Sequence, residues 1–306
     1  MNLAQELGYR ENDRLLIVNA DDYGLCRSVN EAARQLLTEG VISSATIMMP
    51  CAWAKDGAEW SAAHPEFDVG VHLTFTSEWG PYAWGPVTRN GDVSSLVTRE
   101  GYFPRDARTF EQTADASQVK KEMISQIEMA LAHGMSPTHA DNHMGSLYGL
   151  QTGRHFVVEA LDVCAAFGLP FRLPRHVTGD DGVAPPEMAE RARQIAALAD
   201  AKGVVILDYL VGLPFQLGEG ETYDSFKADM IKLLKRLQPG VTELIIHPSL
   251  LTGELRSFHG QPEKREMEYR LFRDPDIGRL LQDEGIRLIR WRQLQQLQRS
   301  RSNPTL

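Results

Sequence analysis

LLIVNADDYGL, residues 15–25, contains the turn that decides between two folds. LLIVN (15–19) is a short, uninterrupted apolar run of the kind expected of a strand covered on both faces. Similar runs follow at SATIMM (44–49), VGVHLT (69–74), THADN (138–142), FRLP (171–174), VVILDY (204–209), ELIIH (243–247) and RLIR (287–290). Amphipathic segments lie between them, so seven to eight β/α units and a mostly parallel sheet are expected, either open and doubly wound or closed. An open dinucleotide-binding sheet wants GxGxxG after its first strand. Here the turn is Asn19-Ala20-Asp21-Asp22-Tyr23-Gly24, with carboxylates where phosphates would sit. The expected fold is therefore α/β, a distorted TIM-like (β/α) barrel.

The helical segments carry end signals. Ser28 and Glu31 have the spacing of a capping box, and Gly40 follows that helix. Segment 118–133 repeats Val119, Met123, Ile127 and Leu131 and stops at Gly134 and Pro137. Segments 154–167 and 222–237 stop at Gly168 and at Pro239-Gly240. No repeat or linker divides the chain, so one catalytic domain spanning 1–306 is expected. The connection 75–118 is long for a compact domain. It carries Trp79, Tyr82, Trp84, Tyr102 and Phe103, which suit either a satellite core or the wall of a cleft that packs on a ligand. The expectation is the cleft wall, a lid that shapes substrate choice.

Composition narrows the function classes. The 306 residues are 42% apolar and 24% charged, with a net charge of −9, so wholesale disorder is excluded and nucleic acid is not an expected partner. No apolar stretch reaches the length of a membrane span. Three cysteines, Cys26, Cys51 and Cys164, form neither a disulfide framework nor a thiolate metal site. The polar N-terminal MNLAQELGYRENDR lacks a signal-peptide core, and a cytoplasmic protein is expected.

The chemistry-bearing residues gather at strand ends, where parallel barrels keep their catalytic groups. Asp21 and Asp22 follow the first strand, and His72 lies in the third. His139, Asp141 and His143 alternate along one strand face. Arg172 is in the fifth strand, Asp208 near the end of the sixth, and His247 precedes Pro248 at the end of the seventh. Imidazoles and carboxylates on a buried face call for a metal or a polar network. One carboxylate with two imidazoles leaves a divalent ion open to water. A further carboxylate and histidine add a base and an acid, the equipment of metal-assisted hydrolysis.

These motifs resemble the YdjC-like carbohydrate deacetylases, the family of the chitooligosaccharide deacetylases. LLIVNADDYG is similar to the family's NADDFG opening, GVHLT (70–74) to its strand-3 histidine motif and PTHADNH (137–143) to its Thr-His-x-Asp-x-His motif. IIHPS (245–249) and REMEYRLF (265–272) are similar to its late His-Pro and Arg/Glu segments. The resemblance implies a distorted barrel binding one divalent ion through Asp22, His72 and His143. Asp21 would be the general base and His247 the general acid, in removal of an N-acetyl group from an amino sugar or short oligosaccharide. It also implies a homodimer. Zinc is the first choice of ion because two imidazoles suit it, with magnesium, manganese or cobalt as alternatives. Arg172 either orients Asp21 or binds substrate. Family members commonly place more histidines after the third ligand, whereas here Met144-Gly145-Ser146-Leu147 follow His143, so the cleft wall and the sugar differ. Two rival readings are a metal-dependent sugar isomerase or epimerase and a non-catalytic sugar-binding or regulatory protein.

Overall fold

The longest strand, β1 (Arg14–Tyr23), has eight parallel companions in a computed structural model that describes residues 2–177 and 185–302. Residues 1, 178–184 and 303–306, which the single-domain reading takes in, lie outside the described residues. The other strands are β2 (Ser44–Ile47), β3 (Asp68–Leu73), β4 (Ala140–Asn142), β5 (Phe171–Pro174), β6 (Ile206–Leu207), β7 (Tyr209–Val211), β8 (Gly240–Ile246) and β9 (Ile286–Leu288). They run in the order β6-β5-β4-β3-β2-β1-β8-β7, with β9 beside the first residues of β1. Only Asp208 separates β6, which pairs with β5, from β7, which pairs with β8. One broken strand thus spans both ends of the ladder, giving a nearly closed parallel barrel with helices around it, the distorted TIM-like barrel expected.

Alternation along β1 divides its side chains between two cores. Leu16, Val18 and Ala20 pack outward under the helices. Leu15 and Ile17 point inward, where Leu3, Ala4, Val205, Leu207, Val241, Ile289, Trp291 and Leu294 plug the barrel floor. Asn19 and Asp21 continue the inward face above this plug, joined by a 2.8 Å hydrogen bond from the Asn19 amide. Above this largely apolar floor, polar groups gather toward the mouth, the C-terminal ends of the strands.

Several elements differ from expectation. The first strand runs through the Asp pair to Tyr23, because β2 pairs with its far half. The strand expected over 138–142 shortens to β4, and that over 204–209 breaks at Asp208. The capping box does not form: helix Arg27–Thr38 starts before Ser28, has Cys26 at its N-cap, and uses Glu31 in an ion pair with Arg27. Gly40, Gly134 and Gly168 do take the left-handed conformation that ends a helix. In helix Ala116–Ala132, Val119, Met123 and Ile127 are buried but Leu131 is exposed. No helix among the described residues is long and apolar enough to cross a membrane.

The stretch 75–118 is an ordered flap whose buried side chains join the main core. It holds a 3-10 turn, Ser94–Leu96, and a helix, Ala107–Thr113, that Asp106 caps. Phe75, Trp84, Leu96, Phe103 and Phe110 are buried together, whereas Tyr102 is exposed. Glu122, on the following helix, accepts from the backbone N–H groups of Val87 and Thr88 and ties the flap down.

Candidate metal centre and active site

On a regular strand, consecutive residues point to opposite faces, so Asp21 and Asp22 ought to diverge. They do not. The pairing of β1 with β2 slips between Ala20 and Tyr23, and Asp22 takes φ +65°. This bulge re-aims Asp22 into the mouth beside Asp21. Left-handed backbone is uncommon at a non-glycine residue, and Asx side chains are those that tolerate it best.

Asp22, His72 and His143 converge there, all buried. Nε2 of His72 lies 3.4 Å and Nδ1 of His143 3.2 Å from Oδ1 of Asp22. Each ring is held on its other nitrogen by a carboxylate: His72 Nδ1 is 2.6 Å from Asp141 Oδ1, and His143 Nε2 is 3.0 Å from Glu78 Oε2. A neutral imidazole has one N–H, and here the carboxylates take it. Two lone pairs and a carboxylate oxygen then face one another. Asp22 Oδ1 makes no hydrogen bond, while Oδ2 accepts from Arg265 Nη2. Such a cluster could hold a cation at its centre.

The titration behaviour reflects the same demand. Burial opposes charging His72, but the Asp141 and Asp21 carboxylates outweigh it and raise its pKa to about 10. His143 rises to about 9 against burial, through Glu78 and Asp22. Without a metal the cluster draws protons onto its rings, and a divalent ion meets the same need. The donor set of one free carboxylate oxygen and two oriented imidazole nitrogens fits such an ion. The overlapping group Asp21, His72 and Asp141 is also close enough to hold an ion, but its oxygens are already engaged by Arg172, Thr46 and the His72 Nδ1–H.

Arg172 is 2% exposed and fully occupied. Nη1 and Nη2 each donate to Asp21 at 2.7 Å in a bidentate pair. Nη2 is also 2.8 Å from Asp141, and Nε donates to Glu243 at 2.9 Å. These contacts hold Arg172 against Asp21, Asp141 and Glu243. Burial raises the Asp21 pKa, but Arg172 outweighs it and holds the carboxyl well below the usual carboxylate range. Asp21 Oδ2 lies 4.0 Å from His247 Nε2, so these two groups flank one space. The His247 backbone N–H donates to Glu268 at 2.6 Å, and its Nδ1 is buried without a partner. Burial lowers the His247 pKa to about 4.

Two residues grouped with the mouth by sequence lie elsewhere. His139 stacks on Trp291 at 4.6 Å, in the floor, because β4 descends from Asp141 toward the plug. Asp208 accepts from the Val241 backbone N–H at 2.8 Å, at the start of β8 and thus the opposite end of the barrel.

Residues 15–283 match the family model described as YdjC-like protein. The chain belongs to the YdjC-like family. Relatives of this YdjC-like chain include a carbohydrate deacetylase of Thermus thermophilus, 31% identical over 281 residues, covering 92% of the chain and 94% of the relative. A carbohydrate deacetylase of Geobacillus stearothermophilus is 29% identical, covering 93% and 99%. The chitooligosaccharide deacetylase of Yersinia pestis is 30% identical but covers only 56% and 64%. The fold matches a solved structure from Enterococcus faecalis V583, a "putative cellobiose-phosphate cleavage protein", with TM-score 0.73 and 22% identity, over 92% and 99% of the two chains.

The YdjC-like motifs did not lead to Glu78, Glu243, Arg265 or Phe215. Arg265 sits in the REMEYRLF segment, but only its contact with Asp22 gives it a place. Phe215, 59% exposed, sets its ring edge-on to His247 at 4.7 Å. Trp79 meets Phe258 edge-on and His259 at a tilt, with the Arg265 guanidinium over its ring. The sequence carries no signal for Phe215, because only the fold brings it beside His247.

Proposed function

We propose that this protein is a metal-dependent deacetylase that hydrolyses the N-acetyl group of an amino sugar or short oligosaccharide. The observation that carries the reading is the buried Asp22 Oδ1 without a hydrogen bond, faced by one free nitrogen each from His72 and His143. The relatives named carbohydrate deacetylases support the substrate class. Asp22, His72 and His143 would hold the ion, with zinc the first choice for two imidazoles. Bound there, the ion supplies Lewis acidity to an acetyl carbonyl and makes a water more acidic.

The chain's own groups do the rest. Asp21, charged and oriented by Arg172, accepts a proton from the attacking water. His247, across the same space, delivers a proton to the departing amine nitrogen. A resting His247 pKa of about 4 leaves it neutral, so it must gain that proton during turnover. The 4.0 Å from Asp21 makes the carboxyl that has just been protonated the nearest donor. Acetate release from a panel of N-acetylated mono- and oligosaccharides, with metal analysis of the purified protein, tests the reading. Metal-loaded protein that frees no acetate from any of them would overturn it.

A further inference from the structure

The flap supplies one group to the metal centre that no motif assigns. Glu78 lies six residues beyond His72, near the start of the 75–118 stretch, with its side chain 22% exposed. Its Oε2 accepts from His143 Nε2 at 3.0 Å. The ring's other nitrogen, Nδ1, is the one that faces Asp22. Asp141 does the same for His72, by the opposite pair of nitrogens. The two carboxylates differ in where they are built. Asp141 is on β4 and is also held by Thr46 and Arg172. Glu78 has no such strand beneath it and depends on the flap.

That flap is stiff around Glu78. The Ser77 N–H donates to the Pro104 carbonyl at 2.8 Å, and Ser77 Oγ accepts from the Trp84 N–H at 3.0 Å. Trp84 Nε1 donates to the Thr76 carbonyl at 2.8 Å, and the Trp84 ring meets His143 edge-on at 6.3 Å. The residues before Glu78 are thus pinned to buried Trp84, and Trp84 borders the ring that Glu78 holds.

We propose that Glu78 is a positioning residue: it fixes the tautomer and direction of His143, and presenting it is a principal task of the aromatic flap. The inference rests on the reading of Asp22, His72 and His143 as a metal centre. An outer carboxylate on a metal-binding imidazole keeps the ligand nitrogen free and makes it a better donor. Removing it should weaken ion binding without unfolding the chain, because Glu78 is partly exposed and holds no other buried group.

The test is calorimetric titration of chelator-stripped protein with zinc, in wild type, Glu78→Gln, Glu78→Ala and, as a control in the same flap, Glu100→Gln. Thermal melts of the metal-free proteins are run alongside. Losses of about 10–100-fold in affinity are expected for the Glu78 variants, larger for Ala, which cannot accept from Nε2–H. Glu100→Gln should match wild type, and the metal-free melts should stay together. Should Glu78→Ala fold poorly, the isosteric Glu78→Gln carries the test alone. Wild-type affinity in Glu78→Gln and in any folded Glu78→Ala overturns the inference while leaving the metal centre standing. A wild-type protein that binds no divalent ion overturns the metal centre, and the inference with it.

Discussion

Asp21 and Asp22 are neighbours in sequence with different partners, and their roles separate by contact. Asp21 is locked by Arg172, whereas Asp22 keeps one oxygen free. Asp21→Asn should therefore retain the ion and lose about 10²–10⁴-fold in acetate release, and His247→Ala should behave alike. Steady-state rates at saturating metal check both, and wild-type turnover in either variant would remove that residue from the chemistry. His139 makes a different prediction. Burial in the floor, helped by the nearby Arg172 charge, holds it well below its ordinary pKa of 6.5. Below that pH the unfolded chain takes up a proton that the folded one refuses. The stability from a neutral His139 is thus complete above pH 6.5 and falls away as the pH drops, by up to about 1.4 kcal/mol per unit. His139→Asn loses the stack on Trp291 and is less stable throughout. Its slope of unfolding free energy against pH below 6.5 should nevertheless be shallower by one proton, as urea titrations across that range can show.

The flap illustrates how an element can serve packing and the site together. Of its seven aromatics, Phe75, Trp84, Phe103 and Phe110 are core, Trp79 and Tyr82 are half-buried and Tyr102 is exposed. The expectation of one lid with a shared ligand-facing role therefore divides between two jobs. Trp84→Ala should cost about 3–5 kcal/mol in denaturant unfolding, as for other buried tryptophans. Trp79, beside Arg265 and His259 at the cleft, should instead show itself in kinetics. We expect Trp79→Ala to raise KM severalfold with a melting temperature close to wild type. A sharp fall in melting temperature, with unchanged kinetics per folded molecule, would make it a packing residue. The bulge in β1 belongs to the same order of description. One irregular step brings two adjacent carboxylates to the same mouth.

Closure of the barrel brings together groups far apart along the chain. Arg172 meets Asp21 across 151 positions, and Arg265 meets Asp22 across 243. The seam that allows this is the broken strand β6–β7, where Asp208 accepts from the Val241 N–H beneath a tightly packed Gly240. Asp208→Ala should cost about 1–3 kcal/mol by leaving that buried N–H unpaired, and metal affinity should be unaffected because Asp208 lies at the other end. Chelation should act on the whole molecule through linkage. A folded state that holds an ion present at about 100 times its Kd gains about 2.7 kcal/mol, so stripping the metal should lower the melting temperature in proportion. Equal melts with and without chelator would speak against a built metal site.

What could be read from the sequence is what has a one-dimensional signature. The short, uninterrupted apolar runs and the helix-ending glycines indicated the β/α repeat, and the missing glycine turn argued against the dinucleotide fold. The NADDYG, GVHLT and PTHADNH motifs pointed to Asp21, Asp22, His72 and His143, since strand ends in a parallel barrel share one mouth. The alternation rule carried His139 too far, because it assigns a face and not a height, and β4 spans two layers. The strand-end rule misplaced Asp208, because a strand that breaks to close a barrel exchanges one neighbour for another midway. The choice of nitrogen on each imidazole, the full engagement of Arg172, and the arrival of Glu78, Glu243 and Arg265 depended on tertiary structure alone. Those pairings form between charges that only closure brings within hydrogen-bond reach, and a buried charge takes the partner nearest in space, which its position in the chain does not encode.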